Sequence, residues 1–229
     1  MNNKSTSQSL PAKAKIAILA FSLAAIAVII LSAVSQQQWF PARLAVLLVL
    51  AVITARKKVH LGGTSTVSLL TSAVMLTVML DGAGEAVLVA ICGVLVQMIR
   101  PGGKLVIHQA AFNISMITLT VAGASVVYHL IARGQDFPAV LLAMLGASMT
   151  YFLGNSAFVA IIVGLSKNMS IMRVWRNHFA STAPSFLIAG LLSLAMLQLI
   201  ANPIQLVVLV AVIYPVYNSS VRLAVRQPA

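Results

Sequence analysis

Arg56–Lys104 reads RKKVHLGGTSTVSLLTSAVMLTVMLDGAGEAVLVAICGVLVQMIRPGGK. Three bases (Arg56, Lys57, Lys58) precede an apolar run. Two acids (Asp81, Glu85) follow it. A second apolar run comes next, and two more bases (Arg100, Lys104) close the stretch. Lys and Arg beside membrane segments are retained on the cytoplasmic side, so this alternation reads as two membrane passages joined by an outer turn.

Extended to the whole chain, the alternation holds. Of fifteen Lys and Arg, thirteen fall in alternate segments between apolar runs; only Arg43 and Arg133 share segments with the three acids, Asp81, Glu85 and Asp136. Counted this way the inner side carries +13 and the outer side −1, which accounts for the formal net charge of +12. The bases therefore imply no nucleic-acid partner. Composition agrees. The chain is 60% hydrophobic and 8% charged, with a mean hydropathy of +1.01, against about 25% charged residues in a soluble domain. The lipid bilayer is the expected solvent and first partner.

The apolar runs predict an all-α integral membrane protein of about eight transmembrane helices in one bundle, with both termini cytoplasmic. The spans fall near 16–34, 40–55, 64–80, 86–99, 105–132, 138–166, 183–200 and 203–219. A count of six or seven stays open if the second and third segments only dip into the membrane. Residues 1–15 form a basic tail, 16–219 one helical domain, and 220–229 a second tail. Pro138, Pro184 and Pro203 sit at predicted first turns, after Asp136, Thr182 and Asn202 as candidate caps. The run at 16–34 exceeds the 7–15 residues or so of a signal-peptide core, and reads as an uncleaved first helix. The localisation expected is a bacterial inner membrane.

Much enzyme and transport chemistry is missing. No Asp, Glu, Lys or Arg lies at the centre of a span, where such a group would mark an ion path or proton relay. There is no HExxH motif or carboxylate pair, and the single cysteine, Cys92, cannot build a metal cluster. No catalytic activity, metal or cofactor is expected.

What remains is neutral polarity. At about 100° per residue, Gln109, Asn113 and Thr120 share one face of the fifth span. Tyr151 and Asn155 stand at i, i+4 on the sixth and could meet that face. Two readings fit: hydrogen bonding that fixes helix packing, or a small-molecule site. Thr64, Ser68, Thr71 and Ser72 line one face of the third span and read as packing. His108 and His129 are about 31 Å apart along one helix, too far to share a metal. Asp81 and Glu85 form an outer turn: Glu85 would favour the positive end of a helix dipole, and the pair could also touch a solute at the outer mouth. Ser170–Phe179 (SIMRVWRNHF) places Ile171, Val174, Trp175, His178 and Phe179 at helical spacing, with Arg173 and Arg176 facing away. It reads as an interfacial amphipathic helix near 170–179, with Arg173, Trp175 and Arg176 able to couple the bundle to a cytoplasmic partner.

Several of these segments together carry a resemblance. TSTVSLLTSAV (64–74), GAGEAVLVAICGVLVQ (82–97), AFNISMITLTVAGASVVYHL (111–130), Asn155 and VWRNHF (174–179) follow one another with familiar order and spacing. From about Gly63 to Arg222 the chain resembles the multi-span sensor regions at the N-termini of bacterial HD-GYP and GGDEF cyclic-di-GMP enzymes. The resemblance implies a non-catalytic sensor that passes a signal to an output domain, with Asn113 and Asn155 as internal polar contacts. The chain departs from the pattern by stopping soon after its last span, so the expected output is a separate protein, unless the chain is a truncation.

The reading is thus a membrane sensor or ligand-binding module signalling to a cytoplasmic partner, with oligomerisation open. The alternative is a small-solute transporter, or the substrate-binding membrane subunit of one, docked on an energising protein.

Overall fold

The structure is a computed structural model that describes residues 10–35, 41–62, 65–99, 106–134 and 137–199. Its elements in chain order are α1 (Ala12–Ser35), α2 (Pro41–Thr54), β1 (Lys58–Gly62), β2 (Ser65–Ser68), α3 (Leu69–Leu80), α4 (Ala83–Met98), α5 (Ile107–Ile131), α6 (Phe137–Lys167), α7 (Ile171–His178) and α8 (Ala183–Leu199). Short 3₁₀ turns follow α5 and α7. The predicted eighth span, Asn202 and Asp136 as caps, and most of both tails lie outside the described residues.

The fold leaves a broad apolar surface uncovered. α1 buries only Ala14, Ile18 and Ala25, while Leu31 is 68% and Val34 81% exposed. In water that surface would be untenable; against acyl chains it is the favoured one. Four helical stretches are long and apolar enough to cross a bilayer: Ala12–Ser35, Ile107–Ile131, Phe137–Lys167 and Ile171–Leu197, the last joining α7 to α8. α2, α3 and α4 are apolar but shorter. The helical membrane class is therefore borne out. At 1.5 Å per residue α6 is about 46 Å long, more than the roughly 30 Å hydrocarbon core, so it projects beyond the core or tilts.

The core forms around α3, whose residues from Leu69 to Val78 are all buried. It is enclosed by α2, α4, α5 and α8. α5 packs in turn against α1, α4 and α6. α1 joins the bundle through Phe21, edge-to-face on Phe158 at 4.8 Å, and through a 3.0 Å hydrogen bond from Ser115 to Ser22. Buried hydroxyls mostly close on their own helices: Thr54 donates to the Leu50 carbonyl and Thr77 to that of Ala73. That local bond lets a helix carry hydroxyls through lipid at small cost. One pair does more. Ser72 donates to the Ala189 carbonyl at 3.1 Å, and Ser193 returns a 2.8 Å bond to the Ser72 carbonyl, clamping α3 to α8.

The predicted third helix, 64–80, is corrected at its front. β1 and β2 pair antiparallel, Val59 opposite Val67 and His60 opposite Thr66, and the helix begins only at Leu69. Ser65-Thr-Val-Ser68 is rich in β-branched and hydroxyl residues, which fit a pleated strand better than a helix interior. Ser68 becomes the extended residue before α3. Pro138 and Pro184 each stand one residue inside a helix, as predicted. Thr182 instead donates to the Phe179 carbonyl, closing the turn after α7.

α6 and α8 approach closely at Gly190, where an added Cβ would collide with the Ser148 side chain and come within 3.1 Å of the Met144 sulfur. At Gly123 it would meet only the Thr150 methyl, at an ordinary 3.6 Å. Overpacking a full core costs about 1–3 kcal/mol. Gly190→Val should therefore lower the unfolding midpoint in an SDS titration by that order, while Gly123→Ala leaves it nearly unchanged. Equal midpoints would show that α6 and α8 do not pack this way.

Candidate ligand cavity

A cavity of about 530 Å³ lies between α3, α4, α5, α6 and the start of α8. It falls within the range of roughly 300–1,000 Å³ usual for small-molecule sites. Gln109, Asn113, Tyr151 and Asn155 all line it. The structure thus brings together, from two helices, four of the five residues the sequence proposed for a ligand. Thr120, the fifth, does not reach it. It is buried on the α5–α6 seam, where Gly154 leaves room for its side chain. It shares the helical face of Asn113 but lies about 10 Å deeper, below the cavity's last α5 residue, Ile117.

The opposite wall is Ser68, Thr71, Val74, Val94 and Gln97. Thr71 and Tyr151 both line the space. The sequence reading assigned Ser68 and Thr71 to packing and did not single out Gln97. Its signal was modest: a carboxamide near the end of the fourth apolar run, at the depth where α5 carries Gln109. Gln97 also donates to the Ala55 carbonyl at 2.7 Å, and Arg56 donates to the Val96 carbonyl, at 2.8 Å through its NH2, and to Ile99. The C-termini of α2 and α4 therefore cap one another, satisfying carbonyls that every helix leaves open.

Among the described residues, none hydrogen-bonds to the side chains of Gln109, Asn113 or Asn155. Each carboxamide can donate two hydrogen bonds and accept two. Polar side chains in a membrane bundle ordinarily find partners on neighbouring helices. Here three line a common space instead, and none of the described residues that line it is charged.

The cavity wall continues to α7. Phe186 lies 5.8 Å from Tyr151 and 5.5 Å from Phe152, and Phe152 lies 6.0 Å from Trp175 on α7. The Trp175 indole N–H donates to Ser156, next to Asn155 in sequence, at 2.9 Å. α7 is amphipathic, as predicted: Val174 is buried and Trp175 half-buried, while Arg173 and Arg176 are exposed. No group of His, Cys, Asp and Glu able to hold a metal occurs among the described residues.

The MASE9 family matches residues 15–224, nearly the whole chain. The chain belongs to the MASE9 family. MASE domains are membrane-associated sensor domains and carry no catalysis, so the sensor expectation holds at the level of the family. No curated protein and no solved structure matches this MASE9 chain.

The acidic end of the MASE9 bundle lies away from the cavity. Asp81 ends α3 with its side chain 1% exposed and forms an ion pair with Arg43 of α2, which also donates to the Leu80 carbonyl. The exception to the charge ladder thus has a structural role: Arg43 neutralises the buried acid. Glu85 is fully buried in the first turn of α4. Gly82, at φ 101°, makes the turn between the two acids, a conformation that suits glycine. Of the two residues expected at an outer mouth, Asp81 is thus paired with Arg43.

Burial pushes the Asp81 carboxyl up from 3.8 to about 6; Glu85 adds to the rise, and Arg43 opposes it. A carboxyl whose pKa is higher folded than unfolded binds more protons folded, so it contributes stability at low pH and loses it as pH rises through the folded value. The thermal midpoint of the chain in nanodiscs should therefore fall between about pH 4 and pH 6. Asp81→Asn should flatten that slope, and an unchanged slope would assign the effect elsewhere.

Proposed function

We propose that this MASE9 chain is a sensor that binds a small molecule through Gln109, Asn113, Tyr151 and Asn155 and reports its presence through α7 to a cytoplasmic partner. The observation that carries this reading is the cavity itself: three carboxamides without a partner among the described residues converge on it, and its aromatic wall runs on into Trp175. In this reading Arg173 and Arg176 present α7 to the partner. By the resemblance to HD-GYP and GGDEF sensor regions, that partner is a signalling protein.

The proposal includes the eight-span topology in a bacterial inner membrane, with the ends of α2 and α4 and both termini cytoplasmic. Two features support it. The charge ladder coincides with helix ends. And α3, about 18 Å long, is extended by β2 to about 31 Å at 3.3 Å per strand residue. A strand edge is tolerated at membrane depth only where protein covers it, and β2 packs against α8 as well as β1.

Two measurements test the reading. Native mass spectrometry of the gently solubilised chain should find a bound small molecule that Asn113→Leu releases; a ligand retained at full occupancy by the variant, or none in the wild type, sinks the proposed site. In a Cys92→Ala background, single cysteines at Lys57 and Ala83 should label from opposite sides of the membrane. Labelling from the same side would overturn the topology.

A further inference from the structure

The cavity is graded. Ser68 precedes α3, Gln97 lies in the last turn of α4 and Gln109 in the first of α5, so these helix ends bring three polar side chains to the mouth, beside Met98 and Val106. One to three turns further in, the same helices present Val74, Ala90 and Ile117. From Ser68 to Val74, Gln97 to Ala90 and Gln109 to Ile117, the floor lies about 9–12 Å below the mouth. α6 runs the other way and keeps the order: Asn155 is nearer the basic end and Tyr151 one turn deeper.

Resting on the ligand-binding reading above, we propose that the cavity takes an uncharged amphiphile. Its apolar tail lies on the Val74–Ala90–Ile117 floor, and an amide-type head, bearing both a carbonyl and an N–H, sits among the carboxamides of the mouth. The described residues of the lining carry no charge, which selects a neutral head, because an ion taken from water into this space would find no countercharge among them. The carboxamides select a head that both donates and accepts, since each offers an N–H and a carbonyl to the same guest. A ligand with acceptors alone would leave the carboxamide oxygens of Asn113 and Asn155 without partners, and hydrogen bonds left unmade away from water discriminate against such a guest. Met98 and Met116 in the wall tolerate variation in the tail, because their unbranched side chains repack readily.

The test uses four probes with one tail: octanamide, octanoate, octylammonium and octane. Each is added at equal free concentration and pH 7 to the full chain in zwitterionic nanodiscs, with thermal stabilisation as the readout. Octanamide should bind at least tenfold more tightly than the two ions and more tightly than octane. Val94→Trp, which fills the cavity from α4, should abolish that preference, and Asn113→Leu provides a second test where the larger change prevents folding. If an ion matches octanamide, or octane does, the neutral amide class is wrong. If octanamide persists in both variants, it binds elsewhere and the proposal falls. If no probe binds while mass spectrometry finds a molecule released by Asn113→Leu, the class fails and the ligand site stands. If no molecule is found either, the ligand site falls and this inference with it.

Discussion

A polar group surrounded by lipid has no water to turn to, so each must be answered within the protein. That constraint organises this bundle. Most buried hydroxyls answer to their own helix carbonyls, while Thr118, Thr120 and Ser166 have no partner among the described residues; Ser72 and Ser193 answer to each other's helices; the ends of α2 and α4 are closed by Arg56 and Gln97. Arg43 answers Asp81. Against this background the carboxamides of Gln109, Asn113 and Asn155 stand out. Gln109, exposed at the start of α5, and the half-buried Asn113 and Asn155 line one cavity. Oriented polar groups without protein partners are what a binding site needs and what a packing seam avoids.

The two ends of the bundle solve different problems. At the acidic end, buried Asp81 is neutralised by Arg43, and Gly82 allows the turn to close. At the basic end, the described cations stay at the surface or cap helices, as Arg56 does, and the described lining of the cavity is neutral.

Much of this was legible in the sequence, for identifiable reasons. Helix limits followed from apolar runs bounded by charge and proline, and α7 from its alternation of Ile171, Val174 and Trp175 with arginines. Gln109, Asn113, Tyr151 and Asn155 could be chosen because a helical face can be read from a 100° period. Depth could not. Thr120 has the right angle and the wrong level. The hairpin at 58–68 was missed because its strand pairing is a contact between segments, and a run of hydroxyl and β-branched residues reads equally as a membrane helix with bonded side chains. Gln97 and Phe186 were missed because a cavity is a property of several helices at once; each residue is unremarkable in its own segment.

α7 shows how such a cavity could be heard outside the membrane. It is eight residues long, too short to be stable alone in water. Its hold on the bundle comes mainly from buried Val174 and from Trp175, which meets Phe152 on one side and Ser156 on the other. A net hydrogen bond of about 1 kcal/mol and one aromatic contact of similar size are small enough to be shifted by a ligand. Both run through α6 within one turn of the residues that line the cavity. In the proposed reading, a guest that moves Phe186 would reach Trp175 through Phe152. An element held this lightly can take a second position, and a sensor requires two positions that its ligand distinguishes.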